Sequence, residues 1–124
     1  MTFNQAVSSV FSKYVTFSGR ASRSEFWYFV VFELFVYVVL YLFGWLFSGP
    51  NGELPAFVNI LSGLFGLIVL LPSLAVSVRR MHDIGKGGGW IFINLVPFIG
   101  EIWFIILALQ KGEPAPNRFG AVPA

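Results

Sequence analysis

The chain of 124 residues has no cysteine and a single histidine, His82. Without cysteine there is no disulfide, no thiolate metal ligand and no cysteine nucleophile. One histidine leaves an all-protein zinc site short of ligands, so neither metal nor cofactor is expected. Charge is scarce as well, at 11% of residues against 56% hydrophobic. The net charge of +2 has no soluble basic face to occupy, and no nucleic-acid partner is expected. The first ten residues hold no Lys or Arg, and no short apolar core with a small-residue cleavage site follows. A cleavable signal peptide is therefore not expected, and the first apolar run should act as an uncleaved signal. No Gly-x-x-x-x-Gly-Lys-Ser/Thr string is present, which excludes a P-loop.

What the chain does have is length of apolar run. Phe26–Phe47, Phe57–Val78 and Trp90–Leu109 each hold about 20 residues, enough at roughly 1.5 Å per residue to cross a hydrocarbon core of about 30 Å. The chain reads as an all-α integral membrane protein in one domain, with membrane segments over 23–47, 57–78 and 90–109. A tail over 110–124 follows. Pro72 should remove one backbone hydrogen bond and kink the second span.

Thr2-Phe-Asn-Gln5 has the form of a capping box. Phe3, Val7, Val10, Phe11 and Tyr14 then recur at helical spacing, which predicts an amphipathic helix over 3–17 lying in the membrane interface. Ser22-Arg-Ser-Glu25 repeats the box directly before the first run. Ser22 is expected to accept from the Glu25 N–H, and Glu25 to reach back to the Ser22 N–H. Trp27 and Tyr28 would then lie at headgroup depth.

The connector Ser48–Pro55 contains no Lys or Arg. The N-terminal stretch carries Lys13, Arg20 and Arg23; the second loop carries Arg79, Arg80 and Lys86; the tail carries Lys111 and Arg118. Three simple spans place the N-terminus in the cytoplasm and the C-terminus outside. The alternative is a third run that bends at Val96-Pro-Phe-Ile-Gly100 and returns as a re-entrant helical hairpin, which puts all these cations on one side. Re-entrant backbone needs surrounding protein to satisfy its freed groups, and on that ground three spans are preferred.

The densest polar cluster is Arg79, Arg80, His82 and Asp83, followed by Gly85-Lys-Gly-Gly-Gly89. Arginines beside a glycine-rich loop suit a phosphate such as a lipid headgroup. Asp83 paired with an arginine in a topogenic loop is the plainer reading of the same residues. Arg20 and Arg23, one turn apart, would add to a basic collar. Glu33 and Glu101 lie within apolar runs, where a carboxylate is costly and points to function or to a helix interface.

Taken together, Phe17-Ser-Gly-Arg-Ala-Ser-Arg-Ser-Glu-Phe-Trp27, Arg79-Arg-Met-His-Asp-Ile-Gly85 with Trp90, and Asn117-Arg-Phe-Gly120 resemble a family of small bacterial inner-membrane proteins catalogued as domain of unknown function 805. The resemblance runs from about Phe11 to Gly120. Gly87-Gly-Gly-Trp90 stands where the family pattern has Ser-Gly-Trp. The resemblance implies a multi-pass protein of the bacterial plasma membrane. It marks Gly19, Arg20, Arg23, Arg79, Arg80, His82, Asp83, Asn117 and Arg118 as the positions of interest. If the last motif works with the first two, all three share one side.

These readings combine into an expected function. A non-enzymatic module binds anionic phospholipid or a membrane partner through a basic cytoplasmic face, alone or as a homo-oligomer. The alternative is a small oligomeric transporter or channel subunit working through Glu33 and Glu101.

Overall fold

The computed structural model describes residues 1–123. Within them the chain forms α1 (Phe3–Ser12), α2 (Arg23–Leu46), α3 (Ala56–Asp83), a 3-10 segment η1 (Gly88–Leu95) and α4 (Ile99–Leu109), with no β-strand. At about 1.5 Å per residue α2 and α3 extend for roughly 36 and 42 Å, and α4 for only about 17 Å. Two helices are thus long and apolar enough to cross a membrane, and a third apolar helix is shorter.

The Thr2 capping box forms as expected: Thr2 Oγ1 accepts from the Gln5 N–H at 3.2 Å and Gln5 Oε1 accepts from the Thr2 N–H at 3.0 Å. The helix is shorter than the predicted 3–17, ending at Ser12. Its apolar face lies on α2, with Ala6 and Val10 buried and Phe11 edge-on to Phe29 and Phe32 at 5.5 and 5.8 Å. Beyond Ser12 the chain turns so that Tyr14 reaches α3, where its hydroxyl donates to the Ile68 carbonyl. That carbonyl lies four residues before Pro72 and has no helical N–H to accept from, because proline has none. Helix α3 continues through Pro72, and a side chain from the turn after α1 takes up the acceptor that the proline frees.

Helix α3 also outruns its predicted end at Val78. Arg79, Arg80, His82 and Asp83 form its last turn rather than a loop. Cations at this end match the negative pole of the helix. Gly85, at φ +81°, then supplies the left-handed residue that stops the helix, and the Lys86 N–H closes back onto the Met81 carbonyl at 2.9 Å.

The third apolar run does not form the single span predicted for 90–109. Pro97 breaks it, Phe98 takes φ +61°, and η1 and α4 fold back on each other. Gly100 makes this possible: a Cβ there would fall inside the Ile93 carbonyl. Both ends of the run sit at the same end of the α2–α3 pair. Gly88 lies against Val78, while the Ala108 carbonyl accepts from Trp27 Nε1 at 3.2 Å. The path is that of the hairpin alternative. Side chains of α2 and α3 supply partners for the carbonyls at the base of this hairpin, as described below.

Buried side chains concentrate at this end: Val10, Ala21, Phe26, Phe29, Val76, Met81, Phe104 and Leu107 pack there. Along the rest of α2 and α3 the apolar residues face outward, Leu34, Phe35, Leu42, Leu64 and Leu67 among them. An outer surface of that kind suits hydrocarbon rather than water.

Candidate functional site: a buried arginine network

Three arginines converge at the closed end. Arg79 and Arg80 project from the last turn of α3, and Arg20 comes from the loop before α2, whose Ala21 N–H donates to the Arg79 carbonyl at 2.9 Å. All three are buried. Asp83 takes two of them, accepting from Arg20 Nε at 2.9 Å and from Arg80 Nη1. Glu25, in the first turn of α2, accepts from Arg79 Nη1 at 2.7 Å and from Ser9 Oγ at 3.1 Å. The expected return bond from Glu25 to the Ser22 N–H is therefore not made. Ser22 Oγ caps α2 by accepting from the Glu25 N–H at 3.2 Å, and the carboxylate turns inward to the arginine instead.

Three buried cations face two buried carboxylates, an excess of one positive charge. Backbone carbonyls absorb it. Arg80 donates from Nε to Ala108 at 3.0 Å, from Nη1 to Ala21 at 2.9 Å, and from Nη2 to Gln110. Arg20 donates to Glu113 at 2.6 Å and to Ala115 at 2.9 Å. Arg79 Nε donates to Thr16 at 3.1 Å. The Ala108 and Gln110 carbonyls belong to the C-terminal end of α4, where acceptors are left over and the helix pole is negative. One arginine thus caps the hairpin while holding Asp83.

His82 Nδ1 lies 2.9 Å from the Gly19 carbonyl. A carbonyl can only accept, so Nδ1 carries the proton. The ring stacks on Phe119 at 3.9 Å with an interplanar angle of 2°. Asn117 Nδ2 donates to the His82 carbonyl at 3.0 Å, and Asn117 pairs with Gly120 in an isolated antiparallel bridge. Arg118 points outward and lies over the Phe119 ring at 4.5 Å. The structure therefore brings Gly19, Arg20, Arg79, Arg80, His82, Asp83 and Asn117 into one body with the tail.

Arg23 and Arg118 stand apart from the buried set, both exposed. Arg23 Nη1 is 3.5 Å from the Leu109 carbonyl, a long contact. Beside it opens a cleft of about 200 Å³ that includes Ser22, Arg23, Asp83, Lys111 and Glu113 in its lining. Glu33 and Glu101 are not joined to each other by a hydrogen bond. Glu33 accepts from Ser73 Oγ between α2 and α3, whereas Glu101 is exposed in the first turn of α4.

The chemistry of the network is recognition of its own backbone. Arginine offers five donors in a fixed fork, and here most of them are directed at carboxylates and carbonyls of the chain. Among the described residues no group of three His, Asp or Glu side chains is placed to hold a metal ion. Sequence reasoning marked the arginines but missed Glu25, Ser9, Thr16, Trp27 and Lys111. Glu25 did carry a signal, read only as a cap; the others are ordinary residues whose roles depend on partners distant in sequence.

The Inner membrane protein YhaH of Escherichia coli (strain K12) is 38% identical over 118 residues, covering 92% of each chain. The Inner membrane protein YhaI of the same strain is 37% identical over 115 residues, covering 93% of this chain and 92% of the relative. The Uncharacterized protein YiiR is 34% identical over 85 residues, 68% of this chain and 52% of that protein. No solved structure matches. Residues 14–121, a span that takes in the network, the hairpin and the tail motif, match the family described as Protein of unknown function (DUF805), and the chain belongs to that family.

Proposed function

We propose that the protein is a non-enzymatic inner-membrane module whose basic end lies at the cytoplasmic headgroups and binds anionic phospholipid. In this reading α2 and α3 span the bilayer, η1 and α4 form a hairpin that enters and leaves on the cytoplasmic side, and α1 rests in the interface. N-terminus and tail are both cytoplasmic.

One observation carries the reading. All Lys and Arg residues lie at the closed end of the α2–α3 pair, and the connector at the other end has none. Three of the eight are consumed by the network. Lys13, Arg23, Lys111 and Arg118 are exposed and Lys86 is half-buried, and none of these five makes a salt bridge with a carboxylate among the described residues. Cations on one side obey the positive-inside rule, and each adds about 1 kcal/mol of attraction near an anionic surface. The anion-binding role expected of Arg79 and Arg80 passes in this reading to the exposed cations, because the two buried arginines have their donors turned inward. The alternative of an ion path through Glu33 and Glu101 has less support, since the two acids face different surroundings.

The test is the lipid retained by protein purified from the bacterial membrane. Phosphatidylglycerol and cardiolipin should be enriched over phosphatidylethanolamine, and the enrichment should fall severalfold in Lys13→Gln, Lys86→Gln, Arg118→Gln. Retention in proportion to the membrane, unchanged by the substitutions, would overturn the reading. Reporter fusions after Leu54, Lys86 and Gly120 should read periplasmic, cytoplasmic and cytoplasmic; a periplasmic signal after Gly120 would restore three spans.

A further inference from the structure

Two hollows lie along α4, and their positions are related. The polar cleft beside Arg23 and Lys111 meets the C-terminal end of the helix, where Arg23 approaches the Leu109 carbonyl. An apolar groove of about 320 Å³, lined by Ile99, Ile102, Trp103 and Ile106, occupies one face of the same helix. Residues three and four apart share a helix face, and the series from Ile99 through Ile106 continues to Leu109. The groove therefore leads toward the cleft over roughly 15 Å.

The charge of the cleft is positive. Asp83 contributes to its wall, but Arg20 and Arg80 already occupy both carboxylate oxygens. Glu113 is the other acid, its Oε1 3.4 Å from Asn117 Nδ2. Arg20, Arg80, Arg23 and Lys111 against Asp83 and Glu113 leave an excess of two positive charges, four less two. Arg23 and Lys111 are the two of these cations with no carboxylate partner. A positive cleft at the end of a helix that carries an apolar groove along one face has the chemistry of a phosphate ester carrying a hydrocarbon chain.

We propose that the protein holds one phospholipid along α4, its phosphate between Arg23 and Lys111 and an acyl chain on Ile99, Ile102, Trp103 and Ile106. This rests on the basic end being a headgroup surface, and it adds a discrete site to that diffuse attraction. It also assigns a role to Lys111, which none of the motifs includes.

Native mass spectrometry of the full chain, released from mixed micelles containing phosphatidylglycerol, tests the site. One lipid per chain is expected. Arg23→Gln with Lys111→Gln should lower its occupancy about tenfold or more, as the loss of two headgroup cations requires. Trp103→Ala should lower it severalfold. Arg23→Lys with Lys111→Arg, which keeps both charges, should retain the lipid and so separate loss of the site from loss of the fold. If no single lipid is retained, or if its occupancy ignores the double glutamine variant, the site is overturned even where the chain still enriches anionic lipid overall. Displacement by glycerol 3-phosphate as effective as by phosphatidylglycerol would assign the cleft to a soluble ester and overturn the acyl-chain half.

Discussion

At one end of the α2–α3 pair, Arg20, Arg79, Arg80, Glu25, His82 and Asp83 are buried together and bonded to α1, to the loop before α2, to the end of α4 and to the tail. At the other end α2 and α3 meet chiefly where Gly44 admits Val58, and the connector is held by a turn in which Gly49 and Glu53 pair. The closed end is specified by directional bonds, each with a defined donor and acceptor. Between its two helices the open end is specified by shape, and it presents Leu42, Trp45, Leu46 and Phe47 outward. In a bilayer apolar packing between helices gains little over contact with lipid tails. The polar end is thus where this chain can encode a unique arrangement.

Substitutions can break that contrast. The largest effect should come from Asp83→Asn, which leaves Arg20 and Arg80 buried without their carboxylate. Breaking a buried pair costs about 3–5 kcal/mol, to be read as a loss of thermal stability in detergent and of protein accumulated in the membrane. A loss below that expected for an exposed pair would show that the carbonyls alone suffice. Next is Gly44→Ala at the open end, where the new Cβ would stand 2.7 Å from Val58 Cγ2. Overpacking of this kind costs about 1–3 kcal/mol, and Val58→Ala in the same chain should recover most of it; failure to recover would place the clash elsewhere. The smallest is Tyr14→Phe, which removes one hydroxyl from the Ile68 carbonyl and should cost about 1 kcal/mol. Restoring an amide N–H with Pro72→Ala should make the Tyr14 change nearly neutral, a double-mutant cycle that measures the bond directly.

The parts of the fold legible in the sequence were those with local causes. The capping oxygens of Thr2 and Ser22 lie three residues from the amide N–H groups that donate to them, and both bonds form. The two long helices follow from run length. Pro97 and Gly100 marked the place where the third run gives way, but not the direction that the chain takes afterwards. Direction depends on Arg80 reaching Ala108 and on Arg20 reaching Glu113, contacts 28 and 93 residues apart in sequence. The family motifs assembled the right residues without revealing their geometry. Arginines beside a glycine-rich loop suggested a surface for an external anion, whereas Arg79 and Arg80 are buried against the chain itself. Glu25 was the instructive case: its position fits a capping box, yet a guanidinium within reach is a stronger partner than one amide N–H.

The bonds made by Arg20 and Arg80 also fix an order of events during synthesis. Both arginines and Asp83 are synthesised, and emerge, before the carbonyls at Ala108, Gln110, Glu113 and Ala115 that the arginines bind. Since chains fold from the N-terminus as they emerge, α2 and α3 are placed while these guanidinium groups still lack their backbone acceptors. Residues 108–115 then act as a closing piece, docking onto cations already in position. A chain truncated at Leu109 would keep its long helices but leave this end unsealed.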